Sequence, residues 1–169
     1  MTAEEQHVAA ALAALGIGYE RHEHPPAATV EDAVAHWAPI AATHCKNLFL
    51  RNQKGDRHYL LVVEHTKRVD LRAVAAQIGD GKLSFASPER LKRHLGTTPG
   101  SVSPFGLLHD ADAHVTLYLD EDLRTADRVS FHPNINTVTV VLTRDDFNRF
   151  LASRRNPVRY VRIAGLPAL

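Results

Sequence analysis

Apolar residues recur at helical spacing near the start of the chain. Val8, Leu12 and Leu15 lie in the alanine-rich stretch Ala3 to Leu15, and Gly16 follows as a stop. Ile17 to His24 predicts a short strand, ended by Pro25-Pro26. Thr29, with Asp32 three residues on, predicts the N-cap of a helix running through Ala33 and Val34 to Trp37, stopped by Pro39. Cys45 to Arg51 and His58 to His65 are strand-like runs around the polar turn Asn52-Gln53-Lys54-Gly55-Asp56, and together they predict a hairpin. Asp70 predicts a cap for a helix through Val74 and Ile78 that Gly79 closes. Ser87-Pro88-Glu89 opens another helix, with proline at its first position, ending near Leu95-Gly96.

Further on, Thr97 to Gly106 reads as a loop rich in Thr, Pro, Gly and Ser. Val115 to Leu119, Val129 to Phe131 and the β-branched run Thr137 to Leu142 read as strands, with a turn at His132-Pro133-Asn134. Thr143 caps a last helix, Arg144 to Ser153, and Val158 to Ile163 returns as a strand. Helices and strands alternate without a regular βαβ order, and no period of about 20–50 residues repeats. The expected fold class is α+β, a mixed and largely antiparallel sheet wrapped by helices, in a single domain over residues 1–169.

Composition changes this picture little. A hydrophobic content of 44% and a charged content of 23% fit an ordinary globular chain with a real core. No run is apolar enough for a transmembrane helix, so no membrane partner is expected. The start, Met1 to Gln6, lacks the basic and apolar regions of a secretory signal. The single cysteine, Cys45, has no internal disulfide partner, and the expected location is the cytoplasm. A net charge of +1 does not announce a nucleic-acid binder, and no DNA partner is expected. Basic residues do cluster locally, at Lys82, Arg90, Lys92, Arg93 and His94, and again at Arg154, Arg155, Arg159 and Arg162. These read as solvated faces, although an enzyme touching only the end of an RNA needs few phosphate contacts.

Candidate chemistry is sparse. Walker loops, G-x-G-x-x-G, H-E-x-x-H, G-x-S-x-G and C-x-x-C are all missing. Eleven histidines raise the question of a metal, and His22, His24 and the pair His44-Cys45 offer donors, but no spacing shows three or four converging. Cys45 has His44 beside it, yet neighbours on a strand face opposite ways, which favours a buried inert thiol over a nucleophile. Lys46 opens an apolar strand. As a general base it needs its pKa brought from about 10.4 to about 7–8. As a cation holding a phosphate or carbonyl oxygen it needs no such shift, and a snorkelling surface lysine stands beside both readings. The loop Gly100 to Gly106 can leave amide N–H groups uncovered towards an oxyanion or a water. His132 sits in a turn before proline, where it either does chemistry near neutral pH or steadies the turn.

Taken in order, Lys46-Asn47-Leu48-Phe49-Leu50, Val69-Asp70-Leu71, Leu83-Ser84-Phe85-Ala86, Thr98 to Gly106 and Phe131-His132-Pro133-Asn134 resemble the YbaK/prolyl-tRNA synthetase-associated editing-domain family, specifically its freestanding ProX-type branch. His24-Pro25-Pro26 fits as well, and the resemblance runs from about Ala3 to Ile163. It implies a hydrolase that deacylates mischarged tRNA, most closely alanyl-tRNA(Pro), with sister branches that remove cysteine, serine or threonine. The implied partners are the acceptor end of tRNA(Pro) and prolyl-tRNA synthetase; no cofactor and no metal are implied. Residue by residue, the resemblance makes Lys46 an anchor for the terminal adenosine or its phosphate, and Gly100 to Pro104 a G-x-x-x-P loop positioning the ester and the attacking water. It puts His132 near the terminal ribose, whose own 2′-hydroxyl assists hydrolysis. Asn47, Thr29, Ser101, Ser103 and Pro104 are the implied substrate contacts. Two features depart from this pattern. Cys45 stands where a threonine or another small residue is usual, and an ideal strand sends Lys46 and Asn47 to opposite faces, so either a bulge intervenes or only one of them reaches the substrate. A non-catalytic module that binds the tRNA end, and a thiol hydrolase built on Cys45, are the rival readings.

Overall fold

The computed structural model describes residues 1–164; of the expected single domain over 1–169, the last five positions lie outside the described residues. The chain forms α1 (Ala3–Ala14), β1 (Glu20–Glu23), α2 (Val30–Trp37), β2 (Thr43–Asn52), β3 (His58–Glu64), α3 (Leu71–Ile78), β4 (Leu83–Phe85) and α4 (Pro88–Leu95). It continues through a 3-10 turn at Pro104–His109, β5 (Thr116–Asp120), a second 3-10 turn at Glu121–Thr125, β6 (Arg128–Phe131), β7 (Val138–Thr143), α5 (Arg144–Ala152) and β8 (Val158–Val161).

The helix starts follow local chemistry. Thr2, Thr29, Asp70, Ser87 and Thr143 each accept a backbone N–H of the first turn, as capping side chains do. Gly79 and Gly96 end α3 and α4 in the left-handed conformation. Three features differ from the sequence expectation. Leu83–Phe85 forms a strand, Pro104–His109 coils into a 3-10 turn where a loop was expected, and Glu121–Thr125 forms a second such turn. Each is too short for periodicity to register.

The strands make one mixed sheet in the order β1-β7-β6-β2-β3-β5-β8, with β4 added against β2. Antiparallel pairs are β1/β7, β6/β7, β2/β3 and β2/β4, while β2/β6, β3/β5 and β5/β8 are parallel. Both faces are covered. Leu60 and Val62 of β3 join Phe49, Leu117, Leu119 and residues of α1, α4 and α5 in the larger core. Tyr59, Leu61 and Val63 alternate onto the other face, against Val74 and Ala75 of α3. This is why the run His58 to Val63 is buried throughout and not only at every second residue.

One discontinuity matters for function. β2 pairs with β6 only at Thr43 and His44, and with β4 only from Leu50 to Asn52. Between these, on the side away from β3, Cys45 to Leu48 have no strand beside them among the described residues. The sheet splits there, and α2 with its small cluster of Ala27, Ala33 and Trp37 covers the opening.

Candidate active site

The split in the sheet forms an open cavity of about 190 Å³. Ala27, Val30, Ala33, Trp37, Leu48 and Val102 give it apolar walls, and Thr29, Lys46, Asn47 and His132 with the backbone at Ala28 and Gly100 give it polar ones. Its volume is below the roughly 300 Å³ at which pockets for drug-sized ligands begin. A small acyl group fits the space.

Lys46 and Asn47 both line the cavity although they are neighbours on β2. No bulge explains this, since the register with β3 runs unbroken from Cys45 opposite Glu64 to Arg51 opposite His58. The open edge of β2 explains it: where no strand flanks a residue, side chains of both faces reach the gap. The Lys46 ammonium donates to the backbone carbonyl of Lys67. Burial lowers its pKa, against the opposing pull of Glu64 and Glu31. The carbonyl it uses is itself fixed, because Lys67 Nζ donates to Asp120 at 2.9 Å, Asp122 at 2.7 Å and the Ile163 carbonyl at 2.8 Å.

His132 donates from Nδ1 to the Val138 carbonyl at 2.9 Å. That bond leaves Nε2 as the acceptor. Burial, followed by the nearby His24, pushes its pKa down, with the Val138 bond opposing. The neutral ring is therefore the favoured form at pH 7. His24 stands 5.7 Å from it, ring centre to ring centre, and stacks on His36 at 5.1 Å.

Gly100 has φ of +89°, and a Cβ there would lie 3.2 Å from the Ala28 carbonyl oxygen. Only glycine lets the loop pack so closely against the α2 approach in that conformation. The remaining loop residues have other employment. Ser103 is fully buried, donates to Asn134 Oδ1 at 3.1 Å and accepts from the Phe105 amide, capping the 3-10 turn that Pro104 opens. Thr97 donates to the Ser101 and Asn134 carbonyls. These bonds knit the loop to the His132-Pro133-Asn134 turn and so bring Gly100 and His132 together. Ser101, Ser103 and Pro104, expected as substrate contacts, do not line the cavity; they are buried scaffold. Thr29 does line it, with its hydroxyl also capping α2.

Cys45 borders the cavity, but its thiol is buried and points to the Thr43 carbonyl at 3.7 Å. Burial, reinforced by Glu64 and Asp120, drives its pKa far above the usual thiol range. His44 faces away, bonding Ser130 at 2.5 Å and the Ile40 carbonyl at 3.1 Å. No thiolate–imidazole pair forms.

Two wall residues each carry a buried polar atom with no hydrogen-bond partner among the described residues, Trp37 Nε1 and Asn47 Oδ1. A buried unpaired polar group costs about 1–3 kcal/mol, and both residues border the same cavity. Trp37 has no motif around it; its only sequence signal is that it is the sole tryptophan.

Comparison with known proteins gives the family and the fold. Residues 24–150 match the aminoacyl-tRNA editing domain. This chain belongs to the aminoacyl-tRNA editing domain family. The prolyl-tRNA editing protein ProX of Acetoanaerobium sticklandii is 38% identical over 159 residues, covering 94% of this chain and 97% of that protein. The prolyl-tRNA synthetase associated domain-containing protein 1 of Bos taurus is 35% identical over 144 residues, 83% of this chain and 84% of its own. A solved candidate trans-editing enzyme for prolyl tRNA synthetase shares the editing-domain fold, with a TM-score of 0.75 at 23% identity over 96% of this chain and 98% of its own. The α+β architecture expected from sequence is the fold of this family.

Proposed function

We propose that this chain is a trans-editing hydrolase that cleaves the aminoacyl ester of mischarged tRNA(Pro), with alanyl-tRNA(Pro) as substrate. The observation that carries the reading is the cavity itself: small, largely apolar, and bordered by Lys46, Asn47, Gly100 and His132. A synthetic site cannot strongly reject an amino acid smaller than its own, since a missing methylene is worth only about 1–3 kcal/mol. A second pocket that admits alanine and excludes the proline ring supplies the rest.

In this reading the alanyl methyl packs among Val30, Ala33 and Val102. The α-ammonium donates to Asn47 Oδ1, the partner that atom lacks. Lys46 acts as a cation, holding the phosphate of the terminal adenosine or the carbonyl oxygen of the aminoacyl ester. His132 Nε2 accepts from the terminal ribose, and the backbone at Gly100 positions the ester and the water. The substrate's own 2′-hydroxyl assists the attack, so no protein nucleophile is required. Water adds to the ester carbonyl, and the ribose oxygen leaves with a proton, giving alanine and free tRNA. The partner is the acceptor end of tRNA(Pro), with prolyl-tRNA synthetase as the source of the mischarged substrate.

The test is deacylation of a panel of charged tRNAs by the purified protein. Alanyl-tRNA(Pro) should be hydrolysed and prolyl-tRNA(Pro) spared. No turnover on alanyl-, cysteinyl-, seryl- or threonyl-tRNA would defeat the hydrolase reading, and turnover of one of the last three alone would move the specificity.

A further inference from the structure

At the other end of the β2/β3 hairpin, remote from the cavity, three histidines converge. His58 opens β3, His94 lies in the last turn of α4, and His114 precedes β5 by two residues. Five residues of β3 separate His58 from Val63, the partner of Lys46, about 17 Å at about 3.3 Å per residue. One ring nitrogen from each histidine lies within 4.8 Å of the other two. His58 Nδ1 and His114 Nε2 are already 2.8 Å apart. The rings of His58 and His94 are 4.3 Å apart, and those of His94 and His114 are 4.5 Å apart and nearly parallel.

We propose that His58, His94 and His114 form a zinc-class metal site, with three imidazole ligands and a fourth position open to solvent. The donor set suits a borderline-soft divalent ion. Zn–N bonds of about 2.0–2.1 Å in a tetrahedron put ligand nitrogens about 3.3 Å apart. The present arrangement reaches that by opening the 2.8 Å contact slightly and drawing His94 inward, which are side-chain movements. Access is available: His58 and His114 both line a broad surface cleft with Asp56, Arg57, Tyr59, Thr116 and Arg159. An ion held there ties together three segments distant in sequence.

Arg90 opposes the ion. Its guanidinium donates to His58 Nε2 at 3.1 Å and to the Gly55 carbonyl at 2.8 Å. This holds the His58 proton on Nδ1, where it is donated to His114. Metal binding needs that proton on Nε2, so His58 changes tautomer, with no net loss of protons, and Arg90 releases the ring while keeping Gly55. Arg90 thus both competes for the ligand and repels the cation. Nothing in the sequence marks this site, because positions 58, 94 and 114 fit no zinc spacing.

The experiment is calorimetric titration of the untagged, chelator-treated full chain with zinc chloride, repeated with cobalt(II) to read the visible absorption of a tetrahedral ion. The expected result is one equivalent bound, with a raised Tm. His94→Ala and His114→Ala should each weaken binding about tenfold or more. Arg90→Met, which keeps the side-chain stem and removes the charge, should tighten it. Absence of one-equivalent uptake, weakening short of about tenfold in either histidine variant, or binding no tighter in Arg90→Met overturns the proposal.

Discussion

Lys46 is held over the cavity by a backbone carbonyl and not by a carboxylate. Its charge therefore remains available to a substrate, and a charge-assisted contact is worth about 1.5–3 kcal/mol. Lys46→Ala should lower kcat/KM for deacylation by about ten- to a hundredfold with Tm unchanged, read by steady-state kinetics and a thermal melt. Cys45→Ala should keep deacylation within severalfold of the parent, because the protonated thiol has no base to activate it; loss of activity would restore the thiol-hydrolase reading. His132 supplies a pH signature. Its lowered pKa keeps Nε2 an acceptor at neutral pH, so the rate should be flat there and fall on the acid side as Nε2 takes a proton. His132→Gln should flatten that limb. At this scale the sequence marked, through short ordered motifs, three residues that the fold brings to one cavity: Lys46, Gly100 and His132. It did not show that Ser101, Ser103 and Pro104 are buried and do not line the cavity, because burial within a motif looks the same in sequence as contact with a substrate. Trp37 was invisible as a wall residue, since its partners come from a different part of the chain.

Among the elements, the Thr97–Gly106 loop and the His132–Asn134 turn behave as one unit through Ser103, Asn134 and Thr97. Ser103→Ala leaves the buried Asn134 Oδ1 without its donor, and should cost about 1–3 kcal/mol in urea denaturation. It should also raise KM, because Gly100 and His132 lose their mutual alignment. Activity at the parent level in that variant would mean the knit is dispensable. Helix starts were readable because capping is local: Thr29, Asp70, Ser87 and Thr143 each act within a few residues of themselves. The strand β4 and the 3-10 turns were not, being three to six residues long. The open edge of β2 was equally hidden. It depends on where β6 and β4 stop, and pairing partners 31 to 86 residues apart leave no periodic trace.

For the molecule as a whole, acid is the vulnerable direction. His44 and His132 both have pKa values lowered first by burial. Folded, they bind fewer protons than unfolded below about 6.5, the ordinary histidine value. Their contribution to stability is therefore complete above that pH and is lost as pH falls from it towards their lowered values. Tm should decline across this window, more steeply than in a His44→Asn variant. The α+β class was readable because the elements mix without βαβ order. The strand order and the three parallel pairings were not, because they rest on contacts between distant segments.

The cavity's width is a distance between two halves of a sheet, not the depth of a cup in one element. The turn between β6 and β7 carries His132 on one side, β2 carries Lys46 and Asn47 on the other, and among the described residues two strand pairings join β6 to β2. The two halves share one hydrophobic core, so the aperture should depend on how firmly that core packs. Accuracy should therefore be less heat-resistant than turnover: on warming towards Tm, the ratio of alanyl- to prolyl-tRNA(Pro) hydrolysis should shrink while the alanyl rate is still climbing.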